Sequence, residues 1–141
     1  IDWSRDLLVE LKFTFNRFDA DTVFRITIGK EYPLAAGAPV RQTIGIKIVG
    51  KRLWTIAHNG SVLAKTDTGV DITNSGSHDL KLCMKSGVYT ATVNGVDYVQ
   101  SGAPSSGSLT SSHLSHEVLS TTGTTNTFLD ILTPRFREPQ Y

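Results

Sequence analysis

Trp54, set between Arg52 and the tetrapeptide His58-Asn59-Gly60-Ser61, is where this chain concentrates residues that bind or react. Arg52, Trp54 and Ile56 alternate with Leu53, Thr55 and Ala57, so the first three share one face of a strand. An indole exposed there stacks on a pyranose ring, with an arginine or asparagine nearby to bind the hydroxyls. Trp54 also reads as a core or rim residue, since tryptophan in a sandwich is usually well buried. Tyr98, just past Asn94-Gly95, is the second aromatic expected to be exposed, whereas Tyr89 shares its face with Ala91 and Val93 and reads as core. His58-Asn59-Gly60-Ser61 reads first as a hairpin, for which Asn-Gly suffices, and second as a loop presenting His58 and Asn59 to a ligand. Asn59-Gly60-Ser61 is also an N-glycosylation sequon, whose asparagine a type I′ turn would leave exposed. The candidate ligand contacts are therefore Trp54, Tyr98, Arg52, His58 and Asn59.

Asp67, Asp71 and Asp79 fall in a stretch with Thr66, Thr68 and Asn74. Oxygen-rich loops of that kind hold calcium, although their spacing matches no EF-hand and such acids commonly just form turns. No other cofactor is implied. His113 and His116 stand three apart beside Glu117, which on a strand puts the two histidines on opposite faces and weakens a metal reading. Glu10, Glu31, Glu117 and Glu138 are isolated from one another, so no strand presents a carboxylate pair for glycoside hydrolysis. No Gly-x-Ser-x-Gly elbow is present. Cys83 is the only cysteine, which excludes an internal disulfide and a cysteine zinc site, and it reads as an inert strand thiol.

The elements that position these groups are strands. Leu7 to Asn16 alternates apolar and polar residues throughout. Val23 to Ile28, Thr43 to Val49, Arg52 to Ala57 and Val62 to Lys65 follow, separated by turn chemistry, with Gly29 to Val40 a loop. Thr66 to Ser77 reads as a loop around a short extended piece, Val70 to Ile72. From His78 the chain forms a meander, turning at Ser86-Gly87 and at Asn94-Gly95, the dipeptide suited to a two-residue hairpin. Gln100 to Ser112 reads as a long surface loop, and Glu117 to Ser120 and Thr127 to Leu132 as the last strands. With no helical period, the chain is all-β, an antiparallel β-sandwich over 1–141, and its core is drawn from Leu11, Phe13, Phe15, Phe24, Ile26, Ile46, Ile48, Leu80, Leu82, Val93, Leu129 and Ile131.

Composition limits the partners. At 39% hydrophobic and 19% charged, the chain has enough apolar material for one core and too little charge for a disordered tail. A formal net charge of +1 with scattered lysines and arginines argues against nucleic acid. No apolar run approaches the roughly 18 residues of a membrane span. The start at Ile1 fits a module excised from a larger protein.

Phe24-Arg25-Ile26, Ile44-Gly45-Ile46, Leu53-Trp54, His78-Asp79-Leu80-Lys81-Leu82 and Val93-Asn94-Gly95 follow in an order that resembles the concanavalin A-like lectin and glucanase jelly roll, in its laminin G-like form. The resemblance spans about Leu7 to Leu132 and rests on strand order and turn chemistry. It implies a glycan or polysaccharide partner, an extracellular or virion-surface setting, and in some relatives a calcium ion at the rim. The hydrolases of that superfamily carry Glu-x-Asp-x-x-Glu on one strand, which is missing here. Its lyases pair a Gln-x-His strand with a tyrosine strand, but Gln42-Thr43-Ile44 has isoleucine where the histidine belongs, and Tyr89 lacks the flanking pattern. The expected function is a non-catalytic lectin-like module. A carbohydrate-active enzyme and a structural domain meeting protein neighbours through its sheet surfaces remain the alternatives.

Overall fold

A computed structural model describes residues 1–16, 18–29, 42–74, 76–107, 113–120 and 128–137; within 113–120 only the side chains of Leu114 and Val118 are described. Among the described residues ten strands are present: β1 Leu7–Phe15, β2 Val23–Gly29, β3 Gln42–Val49, β4 Arg52–Asn59, β5 Leu63–Asp71, β6 His78–Lys85, β7 Val88–Val93, β8 Val96–Gln100, β9 His113–Ser120 and β10 Leu129–Arg137. They form two five-stranded sheets, ordered β10-β1-β6-β7-β8 and β5-β4-β3-β2-β9. Every pairing is antiparallel. Among the described residues no helix is long and apolar enough to cross a membrane.

The period-two pattern explains the layers. On β1, Leu7, Val9, Leu11, Phe13 and Phe15 are buried while the residues between them are not. They meet Leu80, Leu82 and Met84 of β6 in the same sheet and Phe24, Ile26, Ile28, Ile44, Ile46 and Ile48 of the other. Eleven of the twelve expected core residues are buried, and Ile131 packs partly buried against them. Trp3 joins the core ahead of β1. The Phe15 ring meets Phe24 edge-on at 5.3 Å, and His78 lies 5.3 Å from Phe13, so one end of the core is aromatic. Ser86-Gly87 and Asn94-Gly95 both form two-residue turns with positive φ at each position, joining Lys85 to Val88 and Val93 to Val96.

Three expectations need correction. Thr66 to Asp71 is not a loop: β5 runs unbroken from Leu63 to Asp71 as the edge strand beside β4. A mostly polar edge strand buries neither face, so it leaves no alternating signal. β10 continues beyond Leu132 through Pro134 to Arg137, because an edge strand spares proline's missing N–H and a bulge opposite Glu10 and Lys12 absorbs the extra residues. Asn59-Gly60 is not a type I′ turn. His58 pairs with Leu63, so the connection has four residues, and only Gly60 of the Asn-Gly pair has positive φ. The expected loop over 30–40 and the connection 121–126 lie outside the described residues.

Candidate functional site

Strand alternation sends Leu53, Thr55 and Ala57 of β4 into the sandwich and Arg52, Trp54, Ile56 and His58 to the outer face of its sheet. The inward placement of Thr55 is fixed by its hydroxyl, which donates to Gln100 Oε1 of the other sheet at 2.6 Å. On the outer face, register sets Lys47 of β3 and Asp67 of β5 directly on either side of Trp54. Lys65 is opposite Ile56, and Arg25 of β2 is opposite Lys47. At about 4.8 Å between strands, these residues form one continuous patch.

Trp54 is half-buried, and two ammonium groups lie over its ring, Lys47 Nζ at 5.2 Å and Lys65 Nζ at 5.8 Å from the centroid. Partial burial, followed by repulsion from Lys65 and from Arg25, pushes the Lys47 pKa down. Two ammonium groups therefore converge on one indole, with the buried Arg25 guanidinium one strand beyond Lys47. The neighbouring positions Thr27, Thr43 and Ile56 are buried. Gly45 lies between Thr27 and Ile56 in the register; a Cβ there would sit 2.2 Å from Ile26 O, so no side chain fits.

Arg52 occupies the far end of β4 in an ion-pair network. Its Nε donates to Asp71 Oδ1 at 2.7 Å and its Nη1 to Asp67 Oδ1 at 3.3 Å, while Lys51 Nζ lies 3.7 Å from Asp71. A bulge in β5 between the partners of Arg52 and Trp54 brings both aspartates onto one guanidinium. The hydrogen bond and charge of Asp71, then the charge of Asp67, push the Arg52 pKa up. Asp79 lies on β6 in the opposite sheet, 3.2 Å from Lys12 Nζ. The three acids do not converge, all three already hold cations, and calcium's six to eight oxygens are not assembled among the described residues. Among the described residues no group of three His, Cys, Asp or Glu is placed to hold a metal.

His58 is only 7% exposed, and its Nδ1 accepts from Gly60 N at 3.1 Å; burial pushes its pKa down. Asn59 is exposed, its Oδ1 accepting from Ser61 N and Val62 N. Tyr98 does not stand beside Trp54. It belongs to β8 of the other sheet, packs half-buried on the core, and lines a cleft of about 420 Å³ with Asp71, Asn74 and His78. The Cys83 thiol is pushed up, first by burial, and stays protonated. Burial likewise pushes the Tyr89 hydroxyl up, and it donates to Gly45 O. Glu31 and Glu138, and the side chains of His113, His116 and Glu117, lie outside the described residues.

The structure thus groups Trp54, Arg52 and His58 on one face and separates Tyr98 and Asp79 from them. Lys47 and Lys65 were missed by sequence reasoning, yet a signal existed for Lys47. A two-residue turn at Gly50-Lys51 pairs Val49 with Arg52 and, two residues further, Lys47 with Trp54.

No protein-family model and no curated protein sequence matches the chain. Solved structures do match its fold. The polysaccharide lyase family 18 protein aly-SJ02 (r-CATD) aligns at a TM-score of 0.64 and 8% identity, over 100% of this chain and 75% of its own. The alginate lyase AlgAT5, of polysaccharide lyase family 7, aligns at 0.51 and 13% identity, over 97% of this chain and 61% of its own. Sheep galectin-11 in complex with glycerol aligns at 0.51 and 10% identity, over 97% of this chain and 93% of its own. With two antiparallel sheets in this arrangement, the chain has the concanavalin A-like jelly-roll fold.

Proposed function

We propose that the outer face of the β5-β4-β3-β2-β9 sheet binds a carboxylated or sulfated polysaccharide, and that the chain is a recognition module without its own catalytic apparatus. The observation that carries this reading is Trp54 with Lys47 and Lys65 over its ring and Arg25 opposite Lys47. A pyranose presents an apolar face to an indole, and an anionic substituent on the same sugar draws the ammonium groups into ion pairs. A neutral glycan would do nothing to offset the repulsion from Lys65 and Arg25 that, after burial, depresses Lys47. A polysaccharide partner also accords with the names of two proteins that share the fold. Arg52 supports the platform from its aspartate network. His58 and Asn59 lie further along the same hairpin.

Binding is favoured over catalysis by the chemistry of the patch. Its described titratable groups are mainly cations, its two carboxylates, Asp67 and Asp71, are both engaged by Arg52, and no tyrosine hydroxyl stands beside a histidine. A module of this kind works where acidic polysaccharides occur, outside the cell or on a virion surface.

The test is a glycan array with the chain itself, spanning uronate, sulfated and neutral polymers. Anionic polymers should bind preferentially, Trp54→Ala should weaken binding by about tenfold or more, and Tyr98→Ala should change it little. Preference for neutral polymers, or binding indifferent to Trp54→Ala, would remove this site.

A further inference from the structure

The β4–β5 connection carries a reactive geometry that glycan binding does not use. Gly60 N donates to His58 Nδ1 at 3.1 Å, while Asn59 Oδ1 accepts from Ser61 N at 2.8 Å and Val62 N at 2.9 Å. The last two bonds turn the Asn59 side-chain carbonyl forward along the chain, toward the Ser61 and Val62 amides. The three groups then lie as an amide nitrogen held by a base, a carbonyl next to that nitrogen, and two donors on the carbonyl oxygen.

We propose that Asn59 is a self-modifying site, at which the Gly60 nitrogen closes on the Asn59 side-chain carbonyl to form a succinimide that hydrolyses to aspartyl or isoaspartyl. His58 Nδ1 takes the Gly60 amide proton as the nitrogen bonds to Asn59 Cγ, a transfer within the reach expected of a general base. The carbonyl electron pair moves onto Oδ1, where the Ser61 and Val62 N–H groups stabilise the negative charge as an oxyanion hole does. When the carbonyl re-forms, the Cγ–Nδ2 bond breaks and ammonia leaves with the proton from His58. Water then adds to either carbonyl of the imide and opens it. No oxidant, reductant or cofactor enters.

Three further features favour the step. Gly60 carries no Cβ and sits at φ +108°, leaving its nitrogen open to the asparagine side chain. The Gly60 N–H bond requires an unprotonated Nδ1, and burial keeps His58 neutral. The same dipeptide at Asn94-Gly95 provides an internal contrast. There Oδ1 accepts from only one described donor, Asp79 N at 2.9 Å, and the amide nitrogen that would have to leave is held 3.0 Å from His78 Nδ1. The product adds a carboxylate at the tip of the hairpin that bears Trp54 and Lys65. The proposal does not depend on what that face binds.

Peptide mapping of the intact protein, aged at neutral pH and physiological temperature, tests it. Asn59 should lose its amide at least about tenfold faster than Asn94 in the same molecule, with succinimide and isoaspartyl products at Asn59. His58→Gln retains an oxygen acceptor for the Gly60 N–H but removes the base, so it should slow Asn59 by about tenfold or more without changing Asn94. His58→Ala should do the same. Equal rates at the two asparagines would overturn the proposal, and so would an Asn59 rate unchanged or raised in His58→Gln.

Discussion

Tyr89→Phe should destabilise the protein at neutral pH and lose that disadvantage in strong alkali. Tyr89 is 1% exposed on β7, and its hydroxyl reaches across the sandwich to donate to Gly45 O of β3 at 2.7 Å. Removing the hydroxyl leaves a buried carbonyl short of a donor, at a cost of about 1–3 kcal/mol. With a central value of about 2 kcal/mol, the melting temperature should fall by roughly 8 °C, at about 4 °C per kcal/mol for a domain of this size. Burial holds the native hydroxyl above its ordinary pKa, so the folded state keeps its proton where the unfolded chain gives it up. That contribution is fully present below the unfolded value near pH ~10 and is lost above it, at about 1.4 kcal/mol per pH unit. Phenylalanine has no such loss, so the two stability curves should meet near pH ~11.5. Urea unfolding across this pH range, with the m-value unchanged, measures both quantities. Equal stability at neutral pH, or a gap that does not narrow in alkali, would refute the buried cross-sheet bond.

Leu82→Ala, at a position 0% exposed between the sheets, should cost about 2–5 kcal/mol in urea unfolding through lost burial and a residual cavity. Gly45→Ala drives a methyl against Ile26 O and Thr27, and should cost about 3 kcal/mol or more, at the upper end of overpacking, by the same assay. Asp79→Asn breaks only an exposed pair with Lys12 and should change stability by less than about 1 kcal/mol. Adding calcium should leave the melting temperature of the wild type unchanged; a rise of several degrees would point to a site built around Asp67 and Asp71.

Legibility in the sequence followed burial. β1 and β6 were plain because alternate residues meet a core, and the turns at Ser86-Gly87 and Asn94-Gly95 because positive φ demands their residue types. The part of β5 beyond Lys65 reads as a loop around a short extended piece because its partners are ions and backbone: Arg52 holds Asp67 and Asp71, and Thr68 donates to Leu53 O. None of these depends on apolar spacing. At the site, the face shared by Arg52 and Trp54 followed from alternation alone. The lysines beside Trp54 belong to other strands, so they appear only once register is known. Tyr98 was misjudged because a residue close to a hairpin turn can still point inward, as the third residue after Gly95 does here.

The central claim is that Trp54 and its lysines read charge on a sugar. One uronate polymer, compared as its free carboxylate and as its methyl ester, isolates that claim because the sugar ring is otherwise the same. Titration of the chain should give at least about tenfold tighter binding to the carboxylate form, or about 1.4 kcal/mol. The advantage should shrink as salt is raised and disappear when Lys47 and Lys65 are both replaced by Met. Equal affinity for acid and ester, or a preference that survives the double substitution, would contradict the account.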